Sequence, residues 1–206
     1  MEKQPNSPLD WGQLLKSGNR IFIGSNAAVP NALIDDLIAN ANQLHDIEVV
    51  HIQTISDEKW VEPQYKDLFK VNTLFIAGQK IRSAVAEGRA DYTPCFLSEI
   101  PALFSSDILP LDAALVMLSP PDEYGYCSLG VSVDVVSAAI RNAKKVIAQF
   151  NPLMPRTSGH AYVHISKITA SIEQAQPLPE VPAVGFEQRI ERIGQYVSML
   201  IEDGAT

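Results

Sequence analysis

The chain has 206 residues and a mass of 22.5 kDa, 46% hydrophobic and 19% charged, the size and balance of one globular domain that needs no disulfide or metal staple. A formal net charge of −8, with a pI near 4.9, excludes a nucleic-acid binder, which needs a basic stripe for phosphates. No apolar run approaches the roughly 20 residues that cross a bilayer, and residues 1–8 lack the basic-then-apolar pattern of a secretory leader, so a cytoplasmic protein without membrane attachment is expected.

In chain order, residues 10–17 predict a short helix with Asp10 as its N-cap and Gly18 as its stop. Residues 20–24 predict a strand. Residues 31–44 predict a helix, because Leu33, Ile34, Leu37, Ile38 and Ala41 recur at helical spacing. Residues 47–52 read as a strand and 57–65 as irregular, since Pro63 opposes a long helix. A strand over 71–77 and a helix over 79–87, ended by Gly88, come next. A strand over 91–97 and a weak helix over 98–104 follow. Residues 113–118 are a wholly apolar strand. A helix over 131–143, a strand over 144–150 and a last short strand over 162–165 complete the pattern. Residues 177–182, with three prolines, read as an extended connector. Residues 186–201 form an amphipathic helix with Ile190, Ile193, Val197, Leu200 and Ile201 on one face.

Buried apolar strands alternating with helices imply an α/β fold, a mostly parallel sheet with helices on both faces. Ligands of such sheets sit at the carboxyl ends of the strands, which directs attention to the loops after Ile23, Ile52, Ile76, Leu118 and Phe150. The domain reading is an α/β domain over 1–182 followed by a linker helix over 183–206. The stretches 11–20 and 193–206 are both helices closing on a polar residue and a glycine. The second stops where a strand would start, the pattern of a second repeat cut at its first strand.

Three loops could carry chemistry. Gly24, Ser25, Asn26, Ala27, Ala28, Val29 and Pro30 lie between a strand and a helix. Their small side chains let backbone N–H groups approach an oxyanion, a carboxylate or a phosphate. The loop lacks the three spaced glycines of a dinucleotide site and the Gly-Lys-Ser/Thr of a Walker loop, and a plain tight turn is the competing reading. Residues 119–130 follow the most apolar strand. Pro120 and Pro121 fix the exit, and Gly125 allows close backbone approach beside Tyr124. In residues 151–160, Arg156 is the best candidate cation for an acid or phosphate; the alternative is an arginine that pairs with a carboxylate to hold its loop. His160 and His164 alternate as on a strand and have no further ligand in the pattern, so no metal is expected. Cys95 and Cys127 lack metal or redox spacing and read as thiols of a reducing compartment.

Three ordered motifs also carry a family resemblance. They are Arg89-Ala90-Asp91-Tyr92-Thr93-Pro94 with Leu97-Ser98-Glu99-Ile100-Pro101, the run from Ser119 through Tyr124-Gly125-Tyr126-Cys127 to Asp134, and Met154-Pro155-Arg156-Thr157-x-Gly159. The chain resembles the N-terminal domain of the acetyl-CoA hydrolase/transferase family, nearest to its 4-hydroxybutyrate CoA-transferase-like members. The resemblance implies one half of a class I CoA-transferase, each half built on a ribose-5-phosphate isomerase-like α/β fold, with the active site between the halves. It implies acyl-CoA and small carboxylic acids as substrates, no permanently bound cofactor, a C-terminal half in cis or trans, and a homodimer. In such enzymes a glutamate attacks the acyl-CoA thioester. That glutamate belongs to the C-terminal half, so no catalytic residue is assigned in this chain. The substrate-lining assignments are Gly24, Ser25, Asn26, Ala27 and Pro30, then His51 and Thr54 at a strand end, Pro120, Tyr124 and Gly125, and finally Arg156 and His160. The alternative is a non-catalytic CoA- or partner-binding module of the same fold.

Overall fold

A computed structural model describes residues 9–181 and 187–205. Among them, seven parallel strands form one sheet in the order β4-β3-β2-β1-β5-β7-β9, and two further strands pair antiparallel as β6-β8. The main strands are β1 (Arg20–Ile23), β2 (Ile47–His51), β3 (Phe69–Thr73), β4 (Ala90–Tyr92), β5 (Ala113–Leu118), β7 (Lys145–Phe150) and β9 (Ala170–Glu173). The separate pair is β6 (Tyr126–Ser128) with β8 (Tyr162–His164).

The helices are α1 (Trp11–Leu14), α2 (Asn31–Asn40), α3 (Gln79–Ala86), α4 (Ile100–Ser105), α5 (Val136–Asn142) and α6 (Gln188–Ser198). The first five cover both sheet faces, as strand alternation requires. Ile21 and Ile23 of β1 and Leu115 of β5 point toward α1, α2 and α3, where they pack with Trp11, Leu33, Leu37 and Ile81. Phe22, Ala114 and Val116 point the other way, toward Ile100 and Phe104 of α4 and Val136, Ala139 and Ile140 of α5. Every residue of β5 is buried, which suits a central strand. Asp36 of α2 accepts the indole N–H of Trp11 at 2.7 Å and ties α1 to the body.

The predicted α/β class and nearly all the predicted elements are present, with shifts that have local causes. The Asp10 side chain caps α1 by accepting from Gln13 N–H, but α1 is a single turn. The strand expected over 71–77 is Phe69–Thr73. The Thr73 hydroxyl donates to the Phe75 carbonyl at 2.8 Å and turns the chain out of the sheet. The strand expected over 91–97 is a three-residue edge strand, and Pro94 has no N–H with which to continue pairing. The helix expected from 131 starts at Val136, where the Asp134 carboxylate accepts the Val136 amide at 3.1 Å. The strand over 162–165 is neither the last nor part of the main sheet. It pairs with β6, itself expected as loop, and β9 closes the sheet. The expected helix over 186–201 is present as α6, and all of its residues are exposed. The leader reading of residues 1–8 and the domain boundary at 182 lie outside the described residues.

His51 is buried at the end of β2, with its ring edge-on to Trp60 at 5.6 Å and Nδ1 on the Ile52 carbonyl. Burial pulls its pKa down from 6.5 to about 4, so the ring is neutral at pH 7. The unfolded chain therefore binds more protons than the native one between these values. Stability from this site is complete above about pH 6.5 and is lost as pH falls toward 4. Denaturant titrations should show about 2 kcal/mol less stability at pH 5 than at pH 7 from this residue. A His51→Gln variant that folds should lose that part of the pH slope; an unchanged slope would contradict the assignment.

Candidate functional site

The sheet grows outward in two directions from its centre. β1 leads by way of α2 to β2 on one side, whereas β5 lies on its other side. The crevice between the ends of β1 and β5 is the topological switch point, where open α/β sheets hold ligands. The loops leaving these two strands, residues 24–30 and 119–125, contain eight of the twelve expected site residues.

Gly24 makes the first turn possible. Its amide donates to the Leu115 carbonyl at 2.9 Å, and a Cβ there would stand 3.0 Å from the Ala28 carbonyl. Ser25 is fully buried, and Asn26 takes a left-handed φ of +50°. Asn26 is pinned to the loop after β2: its amide donates to the Gln53 carbonyl at 2.8 Å, and its carbonyl accepts from Ile55 at 2.9 Å. Thr54 lies opposite Asn26 in an isolated parallel bridge. Gly24, Ser25, Asn26, Ala27, Pro30 and Thr54 are thus brought together. Pro30 starts α2, and the Ala32 amide in its first turn donates to the buried side chain of Gln149 at 3.1 Å.

A second grouping forms around Arg156. Its guanidinium donates to Ser119 Oγ and the Pro120 carbonyl, each at 3.1 Å. It also donates to Asp122 at 2.9 Å and the Tyr126 carbonyl at 3.1 Å, and it lies 5.6 Å over the Tyr162 ring. Of the two readings of this arginine, the geometry matches the loop-holding one. Two backbone amides and the arginine hold the Asp122 carboxyl below the usual carboxylate range. Gly125 turns with φ +82°, where a Cβ would meet the His164 ring at 2.9 Å, and Tyr124 is 74% exposed beside it.

Two expected residues stand apart. His51 is 1% exposed and packed on Trp60, so it offers no surface to the crevice. His160 is an exposed turn residue with no described hydrogen bond to the others.

The structure also brings in residues the sequence reading did not single out. Asp134 reaches the first loop through Ser25, Asn26 and Ser132. Glu58 is 6% exposed, accepts a hydrogen bond from Thr54 at 2.9 Å, and has its carboxyl pushed up by burial. A polar residue two positions before the first residue of a helix, as Asp134 is, was the available signal; for Glu58 none was available.

Two open clefts flank the first loop. One, of about 510 Å³, lies between the start of α2, residues 55–57 and residues 174–179. The other, of about 560 Å³, is lined by Phe96, Leu97, Pro101, Asp134 and Val135. Among the described residues no three His, Cys, Asp or Glu side chains gather as a metal site. Cys127 is buried, and its thiol is pushed up to about 11, so it is no nucleophile at neutral pH.

Comparison with known proteins agrees with this fold. The acetyl-CoA hydrolase/transferase N-terminal domain matches residues 2–184. The chain is 38% identical over 192 residues to the 4-hydroxybutyrate coenzyme A transferase of Clostridium kluyveri, covering 93% of this chain and 44% of that protein. It is 42% identical over 195 residues to the succinyl-CoA:acetate/propanoyl-CoA:succinate CoA transferase of Fasciola hepatica, covering 93% and 40%. Among solved structures, RipA from Yersinia pestis superposes with a TM-score of 0.84 at 29% identity, over 93% of this chain and 47% of that one. The 4-hydroxybutyrate CoA-transferase of Porphyromonas gingivalis superposes with a TM-score of 0.76 at 33% identity, over 95% and 45%. The chain spans less than half the length of each of these relatives.

Arg156→Lys keeps the charge but cannot reproduce a planar fork bonded to four acceptors. Because the arginine is partly exposed, global stability should fall by only about 1 kcal/mol. Hydrogen exchange of amides 119–128 should accelerate well beyond that of the sheet core. Unaltered exchange in this segment would contradict the loop-holding role.

Proposed function

The chain belongs to the acetyl-CoA hydrolase/transferase family, as its N-terminal domain, and from that premise we propose that it forms one wall of an acyl-CoA:carboxylate CoA-transferase active site. The observation that carries this reading is the small-residue loop 24–30 that leaves β1 at the switch point. Among the described contacts the half-buried Ala27 amide makes no hydrogen bond within the chain. It is therefore a suitable donor to an oxyanion formed at a thioester carbonyl.

In this reading a glutamate from a C-terminal half, in cis or in trans, attacks the thioester carbonyl of the acyl-CoA. The C–S bond breaks, CoA leaves as its thiolate, and an acyl-glutamyl anhydride remains. The thiolate then attacks the glutamyl carbonyl of the anhydride, giving a glutamyl-CoA thioester and the free carboxylate of the first acid. A second carboxylic acid reverses the sequence and leaves as its CoA thioester. Transfer is favoured over hydrolysis as the outcome because the similar proteins named above are described as transferases where their names state an activity. CoA and its thioesters are substrates rather than resident groups. Cytoplasmic location belongs to the same reading, through the two free thiols and the substrates.

The exposed apolar row of α6, Ile190, Ile193 and Val197, with Leu200 just beyond its end, each at least half exposed, supports assembly with further protein, and we include a homodimer in the proposal. Light scattering should report a dimer; a concentrated monomer would count against it.

The direct test is exchange of labelled CoA between acetyl-CoA and butyrate, succinate or 4-hydroxybutyrate. This chain alone should show no turnover, and addition of a C-terminal half from a similar transferase should produce it. Robust turnover by the chain alone would overturn the division of labour. Binding of CoA by the combined halves without any exchange would instead favour a non-catalytic binding module.

A further inference from the structure

Asp134 stands where two loops of the carboxyl edge meet, and four donors converge on its carboxylate. Ser25 Oγ donates to Oδ2 at 2.6 Å, Ser132 Oγ at 2.9 Å and Asn26 Nδ2 at 3.1 Å, while the Val136 amide donates to Oδ1 at 3.1 Å. The Ser25 and Ser132 oxygens also touch each other, so two hydroxyl protons are shared among three oxygens. The contacts from Ser25 and Asn26 to Ser132 and Asp134 join residues 107 to 109 positions apart in the chain.

The arrangement exceeds what a helix start requires. At the start of α5 only Oδ1 is engaged, accepting from the Val136 amide. Oδ2 is directed entirely at the first loop and at Ser132, whose hydroxyls are buried and need an acceptor. Asn26 is then held from two sides. Its side chain is tied to Asp134, and its backbone to Gln53 and Ile55. This double tether keeps a non-glycine residue in the left-handed region, which is uncommon away from special turns. The next residue is Ala27, with its unused amide. The orientation of that amide is set by the backbone of Asn26, and hence by Asp134.

We infer that Asp134 is a positioning residue, which holds the 24–30 loop so that its backbone donors face the reacting carbonyl. The inference rests on the CoA-transfer reading for its functional part and on the hydrogen bonds alone for its structural part. A carboxyl group fits this place, because one oxygen meets three donors and the other meets one. Asparagine can imitate one side only: with its oxygen toward the hydroxyls, its NH₂ opposes the Val136 amide.

The test compares Asp134→Ala and Asp134→Asn with the parent, each combined with a C-terminal half from a similar transferase, well below the melting temperature of each. Hydrogen exchange reads the loop, thermal melting reads the fold, and CoA exchange reads the reaction. For Asp134→Ala, amides in 24–30 should lose protection while those of β1, β5 and β7 keep theirs. Removing a positioning group should cut kcat about 10- to 100-fold with KM for acyl-CoA changed less than about threefold. Asp134→Asn should recover part of the loss in kcat. An Asp134→Ala protein with an unchanged 24–30 exchange pattern or an unchanged kcat overturns the inference, as does a loss of kcat that only tracks melting. If the parent itself transfers no CoA, the CoA-transfer reading falls, and the exchange pattern still decides whether Asp134 holds the loop.

Discussion

The arrangement of the carboxyl edge depends on one close approach, that of the Gly24 backbone to its neighbours at the centre of the sheet. A parallel sheet that grows both ways from β1 leaves the end of β1 beside the end of β5. The chain must then turn immediately, because the Leu115 carbonyl and the Ala28 carbonyl occupy the space above. Only a residue without a side chain fits there easily. From that turn follow the burial of Ser25, the left-handed Asn26 and the short distance from Pro30 into α2. The loop is thus a product of sheet topology as much as of its own composition.

The acidic balance of the chain bears on the proposed binding of an anionic substrate such as CoA. With a net charge of −8, the overall field repels one. Arg156, the obvious cation near the crevice, has its guanidinium occupied by Ser119, Pro120, Asp122 and Tyr126. A donor left over in the first loop, among the described contacts, is the Ala27 backbone amide. It acts at short range and carries no net charge, which suits a carbonyl oxygen that becomes negative only during the reaction. In the proposed reading, attraction of the CoA phosphates falls to the C-terminal half.

Much of this was legible in the sequence, because the dominant signals were local. The alternation of apolar runs and 3.6-residue periods identified the parallel sheet and its two-sided cover. β5, apolar at every position, could only be a central strand. The Gly24 loop was visible as small residues between a strand and a helix. What was not legible depends on contacts far apart in the chain. β6 and β8 are three residues each and pair across 34 or more positions, too short for any period to show. β9 offers a half-buried edge pattern that resembles a loop. Arg156 was recognised as important, but four acceptors from a loop some 30 positions away decided its role. His51 looked like a strand-end site residue, yet the tail of β2 points it into Trp60. Asp134 lay inside a motif already singled out, and its partners Ser25 and Asn26 lie more than 100 residues earlier.

The central claim is that the crevice over β1, roofed by residues 24–30, is where the acyl end of the substrate meets this chain. A photoreactive acyl-CoA analogue, with the reactive group at the acyl terminus, tests it in this chain combined with a C-terminal half from a similar transferase. After irradiation, peptide mass mapping should place the label within 24–30 and the adjoining residues 53–56, and excess acyl-CoA should suppress it. Competed labelling confined to the opposite sheet end, around 107–112 or 143–146, would contradict the account.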